Sequence, residues 1–157
     1  MFEEFSGLPL HPLVVHAAVV FVPLLVLVAL GYALVPRWRA KLGWLAVGLA
    51  VIAPLSALVA RQSGNALADR LYAGNVQGDL ANHQDYGSIT MWVSIALGVL
   101  TLLLVWLRRS ASVPSWLTIA VTVLVVVAAG TAVTYVFLAG DLGSRIHWEP
   151  VWQSTTG

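Results

Sequence analysis

Four apolar runs, each long enough to cross a bilayer, constrain this chain more than any other feature. They fall near residues 13–35, 42–60, 88–107 and 115–139, and about 20 helical residues are enough to span the hydrocarbon. Each run must be helical, because an open strand edge leaves backbone groups that lipid cannot satisfy. Composition agrees: 59% hydrophobic against 10% charged residues leaves too little charge to cover a soluble domain of 157 residues. The first run follows Glu3 and Glu4 rather than a basic segment, and it is too long for the apolar core of a signal peptide, so it reads as a retained span. Pro23 and Pro54 lie inside spans one and two, where local kinks are expected.

The connections between the runs set a direction. "PRWRAK" (36–41) and "RRSASVPS" (108–115) together hold five basic residues and no acidic one. The rest of the polar chain holds all seven carboxylates, with only Arg61, Arg70 and Arg145 beside them. The positive-inside rule then places both basic loops in the cytoplasm, and both termini and the 61–87 segment outside. Trp38, Trp44, Trp106 and Trp116 flank the inner interface and Trp148 and Trp152 the outer one, as aromatic anchors do. Short inner loops make antiparallel hairpins of spans one and two and of spans three and four. The expected architecture is an all-α integral membrane protein, a four-transmembrane-helix antiparallel bundle over residues 1–150 with a tail at 151–157. Gly87, Met91, Ser94 and Gly98 share one face of span three. Ala46, Ala50, Ala53, Ala57, Ala60 and Gly64 share one face of span two, and such stripes let helices approach closely.

The same topology gathers all four histidines at the outer end. His11 and His16 open span one in "HPLVVH", His83 precedes span three, and His147 follows span four. His11 stands before Pro12, which suits a first helical turn, so His11 reads as a helix-start residue at the headgroups. His16 is more than a turn deeper and about 140° away around the helix. An ionisable residue inside the membrane is a functional candidate. His16 and His83 are therefore the candidate cofactor ligands, with Asp141 joining them in an alternative metal set. His11, Gln62 and Asp85 are candidate supporting residues. Asp141 has a second reading, as an ion pair with Arg145 four residues on. Segment 61–72, "RQSGNALADRLY", is amphipathic enough to continue span two as a helix, carrying Gln62 and Asn65 to the same mouth.

These motifs carry a resemblance. "GLPLHPLVVH" followed by "VPL", then "KLGWL", "RQSGN", "HQDYG" and "AGDLGSRIHW" resemble a family of small bacterial four-span membrane proteins classed as a domain of unknown function, most of all its actinobacterial branch. The resemblance covers roughly residues 7–150. In that family the last motif usually reads Gly-Asp-Ser-Gly-Ala-Lys-x-x-Trp. Asp141, Gly143, Arg145 and Trp148 match it and Leu142 departs. Asn65 stands where the family often has Glu, which weakens that position as an ion ligand, and His147 falls on a variable position. Some relatives are fused to a Rieske-type iron–sulfur domain, so the resemblance implies company with membrane electron transfer.

Three functions fit these residues. With no cysteine in the chain, iron–sulfur clusters, blue copper and covalently attached haem are excluded. Non-covalent haem b on His16 and His83 is the first expectation, for electron transfer rather than catalysis. A non-haem zinc, iron or copper site on His16, His83 and Asp141 is the second. The third is a cofactor-free accessory subunit of a larger respiratory complex in the bacterial cytoplasmic membrane. No mid-span charge marks a transport pathway. No nucleophile–histidine–carboxylate spacing, phosphate-binding loop or nucleic-acid footprint is present.

Overall fold

Hydropathy and helix length together dictate the architecture of the computed structural model, which describes residues 4–5, 8–73, 75–110 and 112–156. A two-residue antiparallel pair, β1 (Glu4–Phe5) with β2 (Leu8–Pro9), precedes four long helices: α1 (Leu10–Leu34), α2 (Arg39–Tyr72), α3 (Asp79–Arg109) and α4 (Ser115–Thr156). All four helices are long and apolar enough to cross a membrane. The chain is a multi-pass membrane protein built as a four-helix antiparallel bundle, in which α1 packs on α2, α2 on α3, α3 on α4, and α4 closes back on α1.

The helices stop where the backbone demands it. A single 3₁₀ turn at Pro36–Trp38 separates α1 from α2. Ala73 closes α2 in the left-handed region at φ 50°, and Gly78 opens α3 at φ 61°, a conformation glycine reaches without a Cβ penalty. Helix α2 does continue through 61–72, as the amphipathic reading expected. Helix α3 starts upstream of His83, placing that residue on a helix rather than in a loop. Helix α4 runs on through His147. At 34 residues, α2 is roughly 50 Å long against a hydrocarbon core of about 30 Å, so its polar end projects beyond the lipid.

The inside mixes small and large side chains. Ala46, Ala50, Ala53 and Ala57 of α2 are buried, as are Met91, Ser94 and Thr101 of α3, together with Leu25, Leu97 and Leu104. Leu27, Phe137 and every tryptophan face outward. The tightest crossing lies between α2 and α3. A Cβ on Gly98 would stand 2.5 Å from the Ala50 carbonyl oxygen and 3.1 Å from Pro54 Cγ. The cause is local: Pro54 has no N–H, so the carbonyl four residues before it loses its helical partner and is open to a neighbouring backbone. The small-residue stripes therefore serve packing.

The two ends of the bundle differ in charge. Arg37, Arg39, Lys41, Arg108 and Arg109 cluster where α1 and α3 end and α2 and α4 begin. At the other end lie the histidines and every described carboxylate.

Candidate functional site

The histidine end is built from two similar clips, one per hairpin. His11, in the first turn of α1, reaches across to α2 and donates from Nδ1 to the Ala60 carbonyl at 3.0 Å. The Ser63 hydroxyl, itself bonded to that carbonyl at 2.9 Å, lies 3.3 Å from the same nitrogen. The ring rests on Gly64, where a Cβ would come within 3.0 Å of its Cε1. His83, on α3, repeats the arrangement on α4. Its Nδ1 donates to the Ala139 carbonyl at 3.0 Å, and a Cβ on Gly143 would come within 2.9 Å of its Cε1.

The Ala-x-x-x-Gly spacing has a physical reason. In a helix the carbonyl of residue i accepts the N–H of residue i+4, and the side chain of i+4 stands beside it. Glycine at i+4 removes that side chain and exposes the carbonyl's second lone pair to a donor arriving from the flank. "ARQSG" (60–64) and "AGDLG" (139–143) each offer one such notch, and each notch takes one imidazole.

The clips bring the two rings together. The His11 and His83 centroids are 6.4 Å apart, with the rings at 82° to one another. Because a carbonyl can only accept, each Nδ1 carries the proton, which fixes the tautomer. Nε2, with its lone pair, is the atom each neutral ring has left to offer. A backbone carbonyl holding Nδ1–H in this way is the usual support for a metal-ligating histidine.

Other expected site residues fall elsewhere. His16 is exposed on the outer face of α1 and bonds back to the Pro12 carbonyl of its own helix. The imidazole that faces His83 is thus His11, and the pairing of His16 with His83 is corrected accordingly. The reason is rotational: five residues turn His16 about 140° away from His11 and from the bundle axis. Asp141 accepts from Arg145 Nε at 2.9 Å, both side chains substantially exposed, so it forms the surface ion pair rather than the third member of a histidine set. Gln62 is half-buried on α2 and Asp85 is exposed on α3. His147 packs edge-on against Trp148. Among the described residues no three His, Cys, Asp or Glu side chains converge as an ion-binding group.

Sequence reasoning gave His11 only a supporting role and missed the partners of both rings. Ala60, Gly64, Ala139 and Gly143 hold the rings, yet none carries a functional group. The repeated Ala-x-x-x-Gly was the available signal. Around the clips, Arg61 donates to Ser88 at 2.9 Å between α2 and α3, and Tyr86 meets Tyr135 edge-on at 5.8 Å between α3 and α4.

A family model described as "Predicted membrane protein (DUF2231)" matches residues 7–155. The chain belongs to this family. Both clips lie within the stretch shared with DUF2231. No match was found among curated proteins or among solved structures.

Proposed function

We propose that this membrane protein carries one metal centre between His11 and His83, best read as non-covalent haem b serving electron transfer. The observation that supports it is the pair of imidazoles from different hairpins, 6.4 Å apart, with both Nδ1 protons committed to backbone carbonyls. Haem is favoured by the donor set. Haem would ask the protein for only two ligands, which His11 and His83 would provide. A bare zinc, iron or copper ion takes three or four protein ligands, and no such group forms among the described residues. Gly87, one turn along α3 from His83, has open space at its Cβ position. Bound haem would supply reversible one-electron transfer. The chain's own part is to orient both rings, fix their tautomers and, through the hairpins, hold their separation.

The positive-inside rule supports an arginine end in the cytoplasm and a histidine end on the far side of a bacterial cytoplasmic membrane. A redox partner would then meet the site from outside.

The test is a reduced-minus-oxidised absorption spectrum of the purified protein after haem-replete expression. A Soret band lost in His11→Ala and in His83→Ala but kept in His16→Ala is the expected result. Absence of the band in the wild type would overturn the haem reading. A second, cofactor-free reading rests on the glycine notches: each imidazole already fills a complementary shape on the neighbouring helix. In that reading the clips only lock the helix ends of an accessory subunit, and the histidine variants lose stability without any spectral change.

A further inference from the structure

The arginine end holds more positive charge than its own acceptors can balance. Arg39 donates from Nε to the Tyr32 carbonyl at 3.2 Å and from Nη2 to the Ala33 carbonyl at 3.4 Å. Arg108 donates from Nη2 to the same Ala33 carbonyl at 3.4 Å and to the Thr122 hydroxyl at 3.1 Å. Two guanidinium groups from different helices thus converge on one oxygen. These carbonyls end α1, and a helix C-terminus carries only about half an elementary negative charge. Two full positive charges face it. Among the described residues no carboxylate lies at this end. The Nε of Arg108 is buried and has no hydrogen-bond partner, and an unmet charged donor of this kind is costly.

We propose that Arg39 and Arg108 together grip the phosphate of an anionic phospholipid headgroup at this end of the bundle. Guanidinium suits phosphate because its planar fork offers parallel N–H donors. An anion between the two groups relieves their mutual repulsion and offers an acceptor to the Nη1 donors that the α1 carbonyls leave over, while the buried Arg108 Nε stays out of its reach. The surroundings favour a lipid over a free anion. Trp44 and Trp106 stand outward at the same end, 76% and 61% exposed, at the level where tryptophan marks the membrane–water interface. Arg109 lies over the Trp44 ring at 5.5 Å, which adds a third cation at headgroup depth.

The protein purified in a neutral detergent and titrated with an equimolar mixture of phosphatidylglycerol and phosphatidylcholine of one chain length provides the test, read by native mass spectrometry. The wild type is expected to retain phosphatidylglycerol over phosphatidylcholine by about tenfold, in keeping with the attraction of two basic residues for anionic lipid. R39Q/R108Q should bring the ratio close to one. R37Q/K41Q, which removes the same charge nearby, should keep most of the preference. Equal retention of the two lipids by the wild type would overturn the proposal, as would equal loss in the two double variants. Displacement of phosphatidylglycerol by millimolar inorganic phosphate would overturn the lipid assignment in favour of a free anion. If R39Q/R108Q does not fold, loss of the preference in R37Q/K41Q still overturns the assignment to Arg39 and Arg108.

Discussion

At the arginine end, the last carbonyls of α1 are met by Arg39 and Arg108 reaching over from α2 and α3. At the histidine end, the carbonyls of Ala60 and Ala139 are met by His11 and His83 reaching over from α1 and α3. The acceptors differ in kind. Tyr32 and Ala33 lie in the last turn of α1, so their carbonyls lack an intrahelical donor, and long charged side chains reach them over a range of geometries. Ala60 and Ala139 sit inside continuous helices, with their first lone pair already used. A notch lets a donor from another helix reach the second, and the flat imidazole ring fits it. One end is held by charge with loose shape, the other by shape with little charge. A site that must hold two rings at a set separation belongs at the second kind of end.

This contrast can be broken most forcefully at the histidines. His83→Ala empties a notch and removes one donor from a half-buried carbonyl, and should cost about 1–3 kcal/mol in SDS or thermal unfolding. His11→Ala should cost a similar amount, since its clip has the same geometry. A cost confined to one of the two would end the claim that the clips are equivalent. Filling a notch is the next test. Gly143→Leu would drive a side chain into the His83 ring and should destabilise by roughly 1–3 kcal/mol, as overpacking does. Gly87→Ala meets open space and should be neutral or stabilising by up to about 1 kcal/mol, the helix propensity gained. A loss at Gly87 equal to that at Gly143 would mean that glycine acts here through flexibility, not shape.

The arginine end should respond more weakly, and to salt. Arg108→Gln should cost about 1–2 kcal/mol in low salt, the scale of hydrogen bonds to a charged donor. That cost should grow at high ionic strength, where the repulsion between Arg108 and its cationic neighbours is screened. The histidine variants should show no such salt dependence, and finding one would erase the distinction between the ends. Smallest of all are the exposed candidates. Asp141→Asn should change stability by about 0.5 kcal/mol or less, the value of an exposed i,i+4 pair. His16→Ala should stay within about 0.5 kcal/mol, as surface substitutions do. A much larger effect of either would return that residue to the site.

The spans and the division into a basic and a histidine end were legible because both follow from one-dimensional quantities, apolar run length and charge. The pairing of the rings was not, because depth along a helix outweighed angle around it. Yet the angle was present. His11 is in register with Ala18, Val22, Leu25 and Ala29, all buried, whereas His16 shares its face with Leu13, Val20 and Leu27, all exposed. Ala18 and Ala29 on the His11 face, where the His16 face carries only leucine and valine, marked the inside of a membrane bundle. The two Ala-x-x-x-Gly notches were harder still. Their meaning rests on an absent side chain, and it emerges only when an imidazole from another helix is placed above it.

The division of the clips between two hairpins also orders events during synthesis. Helices α1 and α2 contain His11 together with its Ala60–Gly64 notch, so the first half of the chain can enter the membrane with one ring already seated. The second ring finds its seat only once Ala139 and Gly143 have been made and α4 has folded back on α3. A chain made only as far as residue 138 therefore holds both His11 with its notch and His83 still without one. The two rings can meet as a seated pair only in the nearly finished protein.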